Sequence, residues 1–403
     1  MTAAPRPLYY RVDSTTPPTL LSLPPANAQT ILKQVAQGSG TDKQAIVVDT
    51  INLNNMLNKA VFGTVDVVTN VANFVSGKTN SDESTTDKNW QASFACLGIN
   101  NKPTVSNDDV QLAVSMLQTM LSAATTNNKN KKMGLGLYFC PYSTQSILQQ
   151  YSAGQVTLEQ LQQSLLDAGV SLETQQAYQP LWDWVASCDP NRLDLIALAP
   201  EVADIAAVRS QGIPGVNAER RAQYVVDAPG FIALTQNPKF KLYTDRSLLK
   251  DFTALSTTTD KKEAPEDSGA FNNYFAERIL VHEAGATALA RYAMMQSTTN
   301  SKDGASFVTM LAPTADVRFL GGINGRLPRI CQALVPNCGV TDNAVTTFLL
   351  NPTAAGTLSQ TRYLRLEIGT GPETLAYQTK VADYLWFSAN QMPAVNLIPR
   401  LMN

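Results

Sequence analysis

Residues Val281–Met295 read VHEAGATALARYAMM and contain the one histidine of a 403-residue chain. His282-Glu283 opens like a zinc-protease helix, but such a helix needs a second imidazole one turn later, on the same face. That place is taken by Ala286, and no cysteine or acidic cluster with ligand spacing lies near. The lone histidine also removes Ser-His-Asp and Cys-His catalysis unless His282 itself is the base. No metal, cofactor or enzymatic activity is therefore expected. The stretch reads instead as a packing helix. Phe275, Ile279, Ala286, Leu289 and Ala293 recur at helical spacing, and Ala284, Gly285, Ala286 and Ala288 are small. A glycine inside a helix costs ~1 kcal/mol relative to alanine, so a close contact accounts for Gly285.

Working outward, helix signals are frequent. Asn107 precedes DDVQLAVSMLQTMLSAA, with acids in the first turn and Val110, Ala113, Val114, Leu117, Leu121 and Ala124 on one face. Thr157 and Gln160 make a capping box, and Gly169 stops that helix. Pro200 and Gly212 bracket a further helix, and Asn217 caps the next, AERRAQYVV. Period-2 alternation is rare, its best example being IVVDTINL at 46–53. GLGL at 134–137 and GGINGR at 321–326 follow no clear strand and fit neither the Walker A nor the GxGxxG pattern. The expectation is a mainly α fold.

Apolar residues make up 44% of the chain and charged ones 16%, with a net charge of −2, so any site for a polyanion must be a local cluster of cations. Five scattered cysteines without CxxC suit a reducing compartment, and the start shows no apolar signal segment. Residues 1–28 hold six prolines and the apolar anchors Leu8, Tyr9 and Tyr10; residues 389–403 hold Val395, Leu397 and Ile398 between prolines. Both ends read as extended arms that dock on a surface. The polar tract 256–269 reads as a boundary between two helix-rich regions.

Three segments carry a resemblance: DIAAVRSQGIPGVNAERRAQYVV at 204–226, AGATALARY at 284–292 and GTGPETLAYQTKVADYL at 369–385. In order and spacing the chain resembles nucleoproteins of non-segmented negative-strand RNA viruses (mononegavirus type), best a fungal mymonavirus branch. The first segment is similar to the element ending the N-terminal lobe's RNA-facing surface. The second is similar to the small-residue helix opening the C-terminal lobe, and the third to the last helix before the C-terminal arm. The resemblance implies an N-terminal arm (1–29), an N-terminal lobe (30–258), a C-terminal lobe (259–377) and a C-terminal helix and arm (378–403). Single-stranded RNA would lie in a groove between the lobes. The arms, through Leu8, Tyr9, Tyr10, Val395, Leu397 and Ile398, would join subunits into a helical or ring-like nucleocapsid. Its partners would be the viral phosphoprotein and polymerase, without a membrane, in the virion and the host cytoplasm or nucleus. A coat protein of another RNA-virus class and a non-viral helical enzyme are the alternatives.

A sequence-independent RNA clamp needs cations for phosphates and flat side chains for bases. The candidates are Arg209, Arg220, Arg221 and Tyr224 in the first segment and Arg291 in the second. Further clusters are Arg318, Arg326 and Arg329 around the glycines of 321–325, Lys129, Lys131 and Lys132 in a polar loop, and Arg362 with Arg365.

Overall fold

The computed structural model describes residues 9–11, 19–21, 45–49, 92–100, 105–126, 132–258, 268–299, 306–338, 340–341, 344–352, 365–366, 379–380, 382 and 384–388. The described strands are β1 (Tyr9–Arg11), β2 (Thr19–Leu21), β3 (Ala45–Asp49), β4 (Ala92–Ile99), β5 (Met133–Pro141), β6 (Leu193–Ala199), β7 (Ser306–Pro313), β8 (Val345–Leu350), β9 (Arg365–Leu366), β10 (Thr379–Lys380) and β11 (Tyr384–Ser388). The described α-helices are α1 (Asn107–Thr126), α2 (Gln145–Ser152), α3 (Leu158–Asp167), α4 (Leu172–Ala177), α5 (Gln179–Ser187), α6 (Val202–Gln211), α7 (Ala218–Tyr224), α8 (Ala228–Thr235), α9 (Pro238–Tyr243), α10 (Leu249–Thr258), α11 (Ser268–Thr299) and α12 (Leu327–Leu334).

Seven strands form one sheet in the order β3-β11-β8-β4-β7-β5-β6. Neighbours from β11 to β6 run parallel, and β3 is the antiparallel edge. The five strands β8-β4-β7-β5-β6 form a parallel centre covered by helices on both faces. One face sets Phe94, Cys96, Ile196, Val308, Met310 and Leu349 against Ile279, Ala286, Leu289 and Ala293 of α11 and Ile330 of α12. The other sets Leu97, Leu135, Leu195, Phe307 and Phe348 against Val110 and Leu117 of α1, Leu161 and Leu165 of α3 and Trp182 of α5.

This α/β sandwich overturns the mainly α, two-lobed expectation. Strands buried on both faces need no polar alternation, so ASFACLGI, MGLGLYFCP and VTTFLL carry no period-2 signal. Strands from before residue 258 (β4, β5, β6) and from after it (β7, β8) are neighbours in that sheet. Among the described residues the two expected halves share this one sheet and so do not form separate lobes. The expected C-terminal helix of 369–385 is corrected too: Thr379–Lys380 and the start of β11 are strands. Of IVVDTINL, residues 46–49 belong to β3. In the N-terminal arm, Tyr9 and Tyr10 lie in β1, which folds back antiparallel on β2. Leu8, Val395, Leu397 and Ile398 lie outside the described residues.

Local signals fared better where they were chemical. The Thr157–Gln160 capping box is formed in both directions, and the Asn217 side chain accepts from the Arg220 amide at 2.8 Å. Gly169 and Gly212 adopt φ of +91° and +70°, where a Cβ would be strained.

The close contact expected at Gly285 is made by Ile323, whose Cδ1 would lie 3.0 Å from a Cβ there, and glycines on the strand beneath α11 add closer ones. A Cβ at Gly134 would lie 2.3 Å from Tyr292 Cε1, and one at Gly136 would lie 2.9 Å from Leu289 Cδ2. The GLGL motif thus lets the helix approach β5 rather than cradling a phosphate. β6 lies at the sheet edge, and α2 covers its free backbone with side chains. Gln145 donates to Leu195 O at 3.1 Å and accepts from Ala197 N at 2.8 Å. This satisfies edge groups that would otherwise invite another strand.

Replacing Gly134 with alanine forces the Tyr292 ring aside, and overpacking of this kind destabilises by ~1–3 kcal/mol. A urea melt of Gly134→Ala is expected to show that loss; an unchanged midpoint would refute the close packing of α11 on β5.

Candidate functional site

Helix α11 is buried around most of its circumference and carries ionisable groups into the core. His282 Nε2 donates to Asp316 Oδ1 at 2.8 Å, and the same carboxylate pairs with Arg278. Arg278 also donates to the Tyr138 hydroxyl at 3.1 Å. Glu283 accepts from Arg326 Nε at 2.9 Å and from Arg329 NH2 at 2.5 Å. Arg329 reaches on to Asp227 at 2.9 Å, and Arg326 donates to the carbonyls of Gly321 and Gly322 at 2.6 and 2.7 Å. Burial, with Arg326 and Arg278 near, holds the His282 pKa well below 6.5. Contact with Asp316 alone would favour the imidazolium, but Arg278 already neutralises that carboxylate. The ring is therefore neutral, its proton on the nitrogen facing Asp316. No substrate reaches it, because His282, Glu283 and Asp316 are fully buried.

The C-terminal half of α11 borders a different environment. A cavity of ≈ 450 Å³ lies between α11, the edge strand β6 and α2. Its walls include Tyr142, Tyr292, Ile196, Ala288 and Arg291, with Met295, 50% exposed, at the rim. Asp194 forms a polar end: its carboxylate accepts from Lys132 at 2.9 Å, from the Tyr292 hydroxyl at 2.9 Å and from Gln296 at 3.2 Å. The Tyr142 hydroxyl donates to Ala284 O at 2.6 Å. Burial raises both phenols, and Asp194 raises that of Tyr292 further, so both rings keep their protons. Arg291 is half-buried and has no carboxylate partner among the described residues. With Lys132 neutralised by Asp194, the lining carries one net positive charge.

Volume and lining fit a small-molecule site, which commonly spans about 300–1,000 Å³ with apolar walls and few polar groups. Sequence reasoning singled out Arg291 and Lys132 but not the cavity. Tyr142, Gln145 and Asp194 gave no motif, since they converge only once α2 is folded onto the edge of β6.

The other RNA candidates are placed otherwise. Tyr224 is fully buried, its hydroxyl 2.7 Å from Asp204, so it offers no stacking face. Arg318 and Arg326, 2% and 1% exposed, are locked to Asp251 and Glu283, beyond reach of a nucleic-acid strand. Arg329 is turned inward on Asp227 and Glu283. Around them the glycine loop has no room for phosphate: a Cβ at Gly321 would strike the Tyr243 ring, one at Gly322 the Asp316 carbonyl and one at Gly325 the Leu320 carbonyl. Arg209 makes a two-pronged pair with Glu277 at 2.7 and 2.8 Å, and Arg220 pairs with Asp204 at 3.1 Å. Arg221 is partly exposed on α7. Lys129, Lys131 and Arg362 lie outside the described residues, and Arg365 is described only as backbone of β9.

Glu283→Gln leaves the Arg326 guanidinium buried without a counter-charge, which is expected to destabilise by ~3–5 kcal/mol in urea titration. A loss below about 1 kcal/mol would show that the ion pair does not hold the 321–329 segment to α11. His282 predicts an acid limb. Below the ordinary pKa of 6.5 the unfolded chain takes up a proton that the folded chain refuses until much lower pH. Stability should therefore fall with decreasing pH from about 6.5, by about 1.4 kcal/mol per pH unit from this residue. The slope of melting temperature against pH should flatten in His282→Gln; an equal slope in both proteins would contradict a neutral, buried ring.

Residues 106–302, just under half of the chain, match the family described as haem-binding uptake, Tiki superfamily, ChaN. No curated protein matches. Among solved structures, one titled "Cofacial heme binding to ChaN of Campylobacter jejuni" is similar at 12% identity, covering 86% of this chain and 98% of that one, with a TM-score of 0.47. An erythromycin esterase mutant, EreC, in its open conformation, is similar at 11% identity, covering 84% and 83%, with a TM-score of 0.30. The cavity lining, from Lys132 to Gln296, falls wholly inside the stretch that is similar to the haem-binding uptake family.

Proposed function

We propose that the chain binds, without transforming, a flat apolar small molecule that bears an acid group, in the cavity beside β6. The observation that carries this is the lone cation: Arg291 stands without a carboxylate partner among the described residues, in a cavity walled by Tyr142, Tyr292 and Ile196. An uncompensated guanidinium in a half-buried apolar pocket is stabilised by an incoming carboxylate, and the aromatic walls suit a planar ring system. The family match supports the same reading, because haem is a planar, largely apolar acid. Binding fits better than catalysis: Asp194, the carboxylate of the cavity, is engaged by three donors, and His282 is sealed in the core elsewhere.

Encapsidation of single-stranded RNA is overturned together with its phosphoprotein and polymerase partners, and neither a coat protein nor a mainly helical enzyme describes this chain. The central parallel sheet and the match to a haem-binding family point elsewhere. Among the described residues no helix is long and apolar enough to cross a membrane.

Haem's ring and acid groups fit this lining, but its iron does not. Protein ligands to haem iron are imidazole, thiolate, thioether or phenolate. Among the described residues the lining holds no histidine or cysteine, and both tyrosine hydroxyls are protonated and hydrogen-bonded. The remaining donor of this kind is the Met295 thioether at the rim.

Titration with protoporphyrin acids, followed by quenching of porphyrin fluorescence, tests the proposal. Arg291→Ala is expected to weaken binding by roughly tenfold or more, the value of a charge-assisted hydrogen bond to a carboxylate. Equal affinity in wild type and variant would remove Arg291, and with it the proposed site.

A further inference from the structure

The mismatch between a haem-type ring and this set of donors has a chemical consequence, which rests on the cavity being the binding site. We infer that the cavity recognises a planar carboxylic acid of the tetrapyrrole class by its ring and its acid, and makes no bond to a metal in the ring. The phenols and the carboxylate that could approach a metal are committed, and the exposed Gln149 offers only an amide, which is not among the usual protein ligands of haem iron. Tyr142 donates to the carbonyl of Ala284, within α11 itself, so freeing it would disturb the helix that forms the wall. Tyr292 donates to Asp194, and making its phenolate beside that carboxylate would set two negative charges within 2.9 Å. Asp194 is in turn held by Lys132 and Gln296. Gln145 is occupied at both ends by the backbone of β6. A thioether alone, as at Met295, is a soft donor poorly matched to ferric iron.

The uncommitted charge of the lining is positive, on Arg291. Arg291 cannot ligate a metal, since a guanidinium has no acceptor. It can grip a carboxylate with two parallel N–H bonds. Selection therefore falls on the acid and on the shape of the ring, and a metal-free ring meets every group that a metallated ring would meet.

Three probes separate the cases: ferric protoporphyrin (hemin), metal-free protoporphyrin, and its dimethyl ester, each titrated into the full-length wild-type chain. The first two should bind with dissociation constants within about threefold of each other, and the ester roughly tenfold or more weaker. Bound hemin should show no tyrosinate charge-transfer band and no thioether-ligated spectrum. Hemin binding roughly tenfold or more tighter than the metal-free ring, with the advantage lost in Tyr292→Phe or Met295→Leu, would overturn the inference while leaving the binding site in place. An ester that binds as well as the acid would overturn recognition through Arg291. Failure of all three probes to bind would sink the proposed function itself, and the inference with it.

Discussion

A helix surrounded by protein needs counter-charges for the ionised side chains it buries, and α11 sets this condition for the segments around it. Its inner residues include Arg278, His282, Glu283 and Thr287, and each dictates where another segment lies. Asp316 is brought under His282 by the turn after β7; Arg326 and Arg329 are drawn to Glu283 by the start of α12; the Tyr224 carbonyl accepts from Thr287 at 2.9 Å. Buried ion pairs contribute little net stability relative to apolar packing, but removing one partner is severe. The network therefore acts as a set of location constraints, while the leucines, valines and alanines on either side of the sheet provide the driving force.

The cavity follows from the same helix at its other end. Where Gly134 and Gly136 admit Leu289 and Tyr292, α11 sits low on β5; beyond them it passes the sheet edge at β6. The gap between helix and edge is walled by α2, which Gln145 fastens to the strand. Arg278, Arg318, Arg326 and Arg329 are spent on carboxylates inside the protein, so Arg291, without a carboxylate partner among the described residues, has a local electrostatic weight that the net charge of −2 conceals.

The parts of this fold legible in the sequence were those written in local chemistry. Thr157 and Gln160, Asn217, Gly169 and Gly212 mark helix ends through hydrogen bonds or backbone conformations that neighbouring residues determine. The packing face of α11 was legible for the same reason, since Ile279, Ala286, Leu289 and Ala293 repeat along one element. The sheet was not, because a strand covered on both faces looks like any short apolar run; LIALA within β6 is parted from the start of α6 only by Pro200 and Glu201. The arginines misled in a related way. Arg318, Arg326 and Arg329 looked like an open cationic cluster because Asp227, Asp251 and Glu283, their partners, lie far away along the chain. Arg291, expected to face RNA, instead lines a cavity that depends on segments up to 159 positions away, at Lys132.

The position of β4 within the sheet has a consequence for biosynthesis. This strand is among the first of the parallel centre to be made, yet both of its neighbours, β7 and β8, come from beyond residue 305. As the polypeptide leaves the ribosome, β5 and β6 can pair soon after translation, whereas β4 must wait for more than two hundred further residues. Long-range pairing of this kind is slow and leaves unpaired edges exposed meanwhile. The nascent chain therefore spends most of its synthesis with an apolar strand, ASFACLGI, in want of a chaperone's cover.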